Sequence, residues 1–381
     1  MQCCRVTSNH YQRDLTQMKN IKAAIFQGPK RPLTIETVSL RAPGPDEVLV
    51  RLKATGLCHS DLHILDGHNP MTFPMVLGHE CCGVVEACGD QVRDLAFGDL
   101  VIPYVMPECG ECILCKDRRT NACITTQAVT SEMDGRILWG DTPVATFLGL
   151  GTFAEYVVVK ASRTAKIDPR ADPEAACYIS CGAATGLGSV LLAAKVKANE
   201  SVAVFGLGGI GLNVVQGARL AGAKNIIGID VNPAKEAVAR QYGATDFICT
   251  RNCDDVPAEV ARITGMGADH TFDCVGNPAV LNTAFLSANP LWGECHNIGI
   301  AAEGDTYGFD PRSFRSGGRK VGGVMMGNAK AKTDLPQMVN WDLSGKIDLK
   351  GLISHRLRLE EINEGFDLLR AGQANRIVIT F

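Results

Sequence analysis

Two rhythms of apolar and polar positions divide the chain. From Ile21 to about Val159 short apolar runs are broken by Gly and Pro, as in KAAIF, LTIETV, EVLVRLKATG and CCGVVEACG. Such runs predict the strands of a β-rich, barrel-like domain. Further on the rhythm changes. SVAVF is a continuous apolar run, GLGGIG a glycine turn, and LNVVQGARLAGA carries helical apolar spacing. NIIGID, AKEAVARQYGA and TDFIC continue as strand, helix and strand, and DHTFDCVG and GECHNIGI predict two more strands. Alternating strands and helices imply an α/β fold with a doubly wound parallel sheet of the Rossmann type. After about Met326 the pattern becomes mixed again, as if the chain returned to close its first domain. The expected division is a β-rich domain from 1–182 and 326–381, with the Rossmann domain at 183–325.

Composition narrows the field. With 381 residues the chain has room for two or three domains, and 46% hydrophobic with 21% charged residues is ordinary for a soluble globular protein. A net charge of −3 gives no electrostatic ground for nucleic acid or an anionic membrane as partner. No apolar run reaches the ~18 residues of a membrane helix. The first 18 residues are polar and lack the apolar stretch of a secretory signal, so the cytoplasm is the expected location. Sixteen cysteines in so long a chain point to metal sites rather than a disulfide scaffold.

Four of them stand together. Cys109, Cys112, Cys115 and Cys123 are separated by two, two and seven residues, and Pro107 and Gly110 permit tight turns. One short loop of this kind, residues 107–123, can wrap a tetrahedral Zn²⁺ with four thiolates. Four ligands leave no open position, so such a metal is structural. An iron–sulfur cluster or unrelated buried thiols are the other readings of the same spacing.

Gly206, Gly208 and Gly211 form GxGxxG between a predicted strand and a predicted helix. The first makes the turn, the second lets the backbone approach a pyrophosphate, and the third lets helix pack on strand. Asp230 ends the next strand, 19 residues after Gly211. A carboxylate there binds the adenosine ribose hydroxyls and repels a 2′-phosphate, which favours NAD over NADP. Lys235 is within reach of the same ribose.

Cys58 in GLCHSDLH, His79 and Glu80 in GHE, and Cys181 in ISCGAATG have no local spacing to link them. Read alone, each is as well a buried thiol or a structural histidine. From about Ile21 to Phe381, however, GLCHSD, GHE, the four-cysteine loop, GTFAEY, GLGGIG and EINEGFDLLRAG occur in an order that resembles the zinc-dependent medium-chain alcohol dehydrogenases. That resemblance implies a GroES-like catalytic domain beside the Rossmann domain, and two Zn²⁺ per subunit. It implies that Cys58, His79 and Cys181 hold a catalytic zinc with one position left for water or substrate. Asp61 then matches the carboxylate that orients His79, and Glu80 the carboxylate behind the metal. Ser60 matches the hydroxyl that bonds the alcohol oxygen, and His63 the end of a proton relay. His59, Thr185 and Arg376 match cofactor-binding residues, with His59 where the family commonly has Arg. Val105, Ala128, Phe147 and Met325 match the substrate pocket.

The resemblance implies reversible hydride transfer between an alcohol and NAD, giving aldehyde or ketone. Small walls at Val105 and Ala128 point to medium-chain, branched or aromatic alcohols. A glutathione-dependent formaldehyde dehydrogenase is the nearest alternative. That branch has an Arg where Gln127 stands and acidic residues where Asn69 and Met71 stand. A nicotinoprotein with permanently bound NAD and a non-catalytic NAD-binding protein are further alternatives. The segment from Cys123 to Phe147 resembles the long loop of the animal and plant dimeric enzymes, about five residues shorter, which favours a homodimer.

Overall fold

The computed structural model describes residues 18–68, 71–124, 132–302, 304–315 and 317–381. Strands Lys19–Phe26, Thr34–Leu40, Glu132–Trp139, Thr142–Thr146 and Met75–Val76 close a barrel. Beside it lies a seven-stranded sheet centred on Glu47–Gly56, which pairs antiparallel with Glu80–Cys88, Tyr156–Lys160 and Ile377–Thr380. The last of these pairings brings the C-terminal strand back to the first domain, with Val378 opposite Gly56.

The six strands of the other sheet are all parallel. Their order is Asp246–Cys249, Asn225–Asp230, Ser201–Phe205, His270–Asp273, Glu294–Asn297 and Lys320–Gly323. Numbered along the chain this is 3-2-1-4-5-6, the order of a dinucleotide-binding sheet. SVAVF is apolar throughout because both its faces are covered. Val202 and Val204 join the core that runs through Tyr178, Leu187 and Leu212, while Ala203 and Phe205 join Ile227, Ile229 and Phe285 on the other face. The helix Gly209–Ala221 follows the glycine turn and stops at Gly222, whose φ of 80° is the left-handed conformation of a helix C-terminus.

Two features differ from the pattern in the sequence. Residues 132–146, expected as part of a long loop, fold into a hairpin that helps close the barrel. The helices Val256–Thr264 and Pro278–Ser287 and the edge strand Lys320–Gly323 had no clear signal. Both helices are capped by a side chain, Asp255 and Asn277, with Pro in the first turn. Among the described residues no single helix is long and apolar enough to cross a membrane.

Candidate active site and metal centres

The four-cysteine loop is assembled by its own backbone. Cys112 caps the helix Ile113–Lys116, its sulfur accepting the N–H of Cys115 at 3.3 Å, and Cys109 Sγ accepts the N–H of Cys112 at 3.4 Å. The sulfurs of Cys109 and Cys115 lie 3.7 Å apart and those of Cys112 and Cys123 4.0 Å. Four sulfurs bound about 2.3 Å from one tetrahedral zinc are separated by about 3.8 Å, so the set fits the ion. A residue without any motif pins the loop to the rest of the fold. Lys330, 2% exposed, donates from Nζ to the carbonyls of Leu114, Cys115 and Asp117.

The second cluster comes from three distant points. Cys58 sits at the N-terminus of the helix His59–Leu65, His79 immediately before the strand Glu80–Cys88, and Cys181 where a turn meets the helix Gly182–Gly188. One ligand atom from each of Cys58, His79, Glu80 and Cys181 falls within 4.8 Å of the others. Asp61 is fully buried, and its Oδ1 lies 3.4 Å from His79 Nδ1 while also accepting the N–H of Gly78 at 2.9 Å. That contact turns the other ring nitrogen toward Cys58, as a carboxylate does behind a metal-binding histidine. Burial alone would depress the His79 imidazole, but Asp61 and Cys58 overcome it and lift the group to about 10. Hydrogen bonding from Cys181, and then from His79, holds the Cys58 thiol well below its usual range. Two sulfurs, an imidazole and an anionic surround form a donor set suited to zinc, with fewer than four protein ligands once Glu80 is otherwise engaged.

Glu80 is so engaged. Both its oxygens are buried, and it pairs with Arg376, which is 6% exposed. Arg376 also donates to the carbonyl of Leu57 at 3.2 Å and lies 3.9 Å over the ring of Tyr178. Tyr178 carried no signal in the sequence, being one aromatic in an apolar run. Its hydroxyl accepts from Asn213 Nδ2 and lies against Gly209, so it bridges Arg376 and the glycine turn.

At that turn each glycine has its own reason. Gly206 has φ of 88°, and a Cβ there would also strike Val275. A Cβ at Gly211 would lie 1.9 Å from the carbonyl oxygen of Gly206. Beside Gly208 there is open space, as a phosphate approach requires. Asp230 reaches back to the turn, with Oδ2 accepting from Leu207 N and Oδ1 from Asn232 N, both at 2.8 Å. Lys235 Nζ donates to Asn375 Oδ1 at 2.8 Å, and Thr185, 6% exposed, contacts Met326.

Around the second cluster, Ser60 Oγ lies 3.5 Å from Cys58 Sγ. His63 is half-buried on the same helix, with Nδ1 3.3 Å from that of His68, and His59 is exposed. The ring of Phe147 meets that of His79 edge-on at 5.5 Å, and Val105 is buried. Met325 is 68% exposed and so is turned more to solvent than a pocket wall. Ala128, Asn69 and Gln127 lie outside the described residues.

A dinucleotide sheet, a closed thiolate loop and an open Cys–His–Cys cluster together define a metal-dependent dehydrogenase. Residues 44–169 match the family described as Alcohol dehydrogenase GroES-like domain, and 209–343 that described as Zinc-binding dehydrogenase. The chain belongs to the zinc-dependent medium-chain alcohol dehydrogenases and is an oxidoreductase. It is 42% identical over 367 residues to an S-(hydroxymethyl)glutathione dehydrogenase of Photobacterium damsela subsp. piscicida, covering 94% of this chain and 99% of the relative. Among solved structures it resembles an alcohol dehydrogenase zinc-binding domain protein from Burkholderia ambifaria, with a TM-score of 0.90 and 32% identity over 96% of this chain and 100% of that one. It also resembles the benzyl alcohol dehydrogenase of Acinetobacter calcoaceticus, with a TM-score of 0.85 and 28% identity over 95% and 99% of the two chains.

Proposed function

We propose that the protein transfers hydride reversibly between a primary alcohol and NAD at the Cys58–His79–Cys181 centre. The observation that carries this reading is the meeting of those three side chains, from three separate elements, within 4.8 Å of one another. When bound there, zinc would supply Lewis acidity at the substrate oxygen and NAD the hydride acceptor. Ser60, beside Cys58, would bond the alcohol oxygen and take its proton as its own hydroxyl proton is released onward. His63 lies three residues further along the same helix, hence on the same face, and would pass that proton toward solvent. Asp61 holds the His79 ring in one orientation, and the buried Glu80–Arg376 pair lies beside the cluster. The ends of the Asp230 carboxylate, fixed by two N–H donors, present negative charge where a 2′-phosphate would sit, which supports NAD as the cofactor.

For the alcohol, the relatives weigh toward S-(hydroxymethyl)glutathione. Curated proteins 39–42% identical to this chain over nearly their full length act under that name, so this substrate is the first reading. A second reading, a medium-chain or aromatic alcohol, is favoured by the side chains themselves. Gln127, Asn69 and Met71 stand where the glutathione-dependent branch has one Arg and two acidic residues. The deciding measurement is kcat/KM for S-(hydroxymethyl)glutathione, benzyl alcohol, hexanol and ethanol in one buffer. The first reading expects the glutathione adduct to lead, the second expects it to trail benzyl alcohol and hexanol, and preference for ethanol defeats both.

A homodimer is part of the same proposal. Among the described residues the strand Lys320–Gly323 pairs on one side only, as a largely exposed sheet edge, and exposed Leu291 and Trp292 lie beside its approach. Mass measurement in solution tests it, and a monomer at micromolar concentration would refute it.

A further inference from the structure

The parallel sheet carries a second histidine–carboxylate group that the reaction does not use. His270 opens the strand His270–Asp273, opposite Val202, at the end of the sheet remote from the glycine turn. Glu294 and His296 lie on the neighbouring strand, in a register that sets His270 against Glu294 and Phe272 against His296. With side chains alternating along each strand, all four share one face. The rings of His270, Phe272 and His296 stack, and both histidines are only 8% exposed. His270 Nδ1 lies 3.2 Å from His296 Nε2, and His270 Nε2 lies 3.2 Å from Glu200 Oε2. One ligand atom from each of His270, Glu294 and His296 falls within 4.8 Å of the others.

We propose that this group is a third metal site, for a divalent cation of the zinc type, held by His270 Nδ1, His296 Nε2 and the Glu294 carboxylate. Two imidazole nitrogens bound to one tetrahedral zinc, each about 2.0–2.1 Å away, sit about 3.4 Å apart, close to the separation seen here. Glu200 completes the logic of the ligand. By accepting the Nε2–H of His270 it fixes the tautomer and leaves a lone pair on Nδ1 directed at His296. Mixed nitrogen and oxygen donors suit zinc and its neighbours among transition metals rather than calcium or magnesium. Three protein donors leave one position for water. Lys320 is the present partner of Glu294, with Nζ 2.7 Å from Oε1, and its side chain is 71% exposed, so it can swing away as the cation enters. The metal would tie two adjacent strands together and add stability without touching the hydride-transfer site.

The test is zinc content of the full-length protein after equilibration with excess Zn²⁺ and desalting. Wild type should hold one zinc per chain more than His296→Gln or Glu294→Gln, and added Zn²⁺ should raise the Tm of wild type but not of His296→Gln. Lys320→Met should tighten zinc about twofold to fivefold by removing the competing ion pair, a gain that a purely structural histidine pair does not predict. Equal zinc content in wild type and folded His296→Gln overturns the proposal. If that variant does not fold, unchanged zinc affinity in Lys320→Met overturns it instead. Because the readout is a difference of one zinc, it stands apart from the two cysteine-containing sites, whose loss in Cys112→Ser or Cys181→Ser would be counted separately.

Discussion

The two cysteine-containing clusters serve opposite designs. In the loop of Cys109, Cys112, Cys115 and Cys123 the ligands lie within fifteen residues, and backbone N–H groups of the loop itself bond the sulfurs. The Cys58–His79–Cys181 cluster spans more than a hundred residues and exists only when the barrel domain, its central sheet and the helix leading into the parallel sheet are all in place. The first draws all four ligands from one short segment, and its metal would contribute to folding. The second is made by the fold, and its metal contributes to chemistry. Local design gives closure; tertiary design gives an open position.

The sharpest way to break this contrast is to remove one sulfur from each. Cys181→Ser should lower kcat by about 10³-fold or more, since several kcal/mol of charge stabilisation at the substrate oxygen depend on that centre, while Tm stays near wild type. Cys112→Ser should do the reverse, with loss of one metal, poor soluble yield and a Tm lower by about 4 °C or more. Metal content, kcat and melting curves measured on both variants decide it. Should Cys181→Ser unfold while Cys112→Ser melts like wild type, the two roles are exchanged.

The same contrast governs what could be read from sequence. The four-cysteine loop, the GLGGIG turn and Asp230 announce themselves because their geometry is local, so spacing alone carries the chemistry. The parallel sheet was legible for a related reason, since strands buried on both faces, such as SVAVF, show as continuous apolar runs. Cys58, His79 and Cys181 were visible only through resemblance to a family, because nothing in a linear sequence says that residues so far apart will meet. Tyr178 and Lys330 stayed hidden altogether. A buried tyrosine under an arginine and a lysine capping three carbonyls look, in sequence, like a core aromatic and a surface cation. The hairpin at 132–146 was missed because its Gly135 and Gly140 read as loop residues, although both sit at bends of paired strands.

A tertiary test comes next in size. Asp230 should be the residue that separates NAD from NADP, and Asp230→Gly should reduce the preference for NAD by about 100-fold, the cost of leaving a charge-assisted hydrogen bond unmade. Because Asp230 also accepts from Leu207 and Asn232, the variant Asp230→Asn should retain more of the turn's shape while losing the repulsion. Steady-state kcat/KM with both cofactors measures it. A wild type that already prefers NADP would remove Asp230 from that role.

The autonomy of the thiolate loop can be sharpened through Lys330, one of the residues that tie it to the rest of the fold. Lys330→Met leaves the carbonyls of Leu114, Cys115 and Asp117 without their shared donor, at a cost of about 2 kcal/mol. Zinc release to a chelator should quicken, while kcat with a saturating alcohol changes little. Should activity fall as steeply as for Cys181→Ser, the loop and the cleft are one cooperative unit rather than two.

The smallest effect lies on the proton path. Burial, together with the nearby His59 and His68, holds His63 below its ordinary value of 6.5, so the ring is neutral at pH 7 and able to accept a proton. His63→Ala should therefore slow alcohol oxidation most on the acid side, with partial recovery in added imidazole. His68→Ala tests the cause rather than the residue. Removing a ring 3.3 Å away deletes one source of repulsion against protonated His63, so the pKa of His63 should rise toward 6.5 and the acid limb of kcat/KM should move to higher pH. At the solvent-exposed end of the helix such a charge is worth about 1 kcal/mol, hence a displacement of less than about one pH unit. The sign matters more than the size. A limb that moves to lower pH, or stays still in both variants, would mean that His63 does not carry the proton and that the step depends on the buried cluster alone.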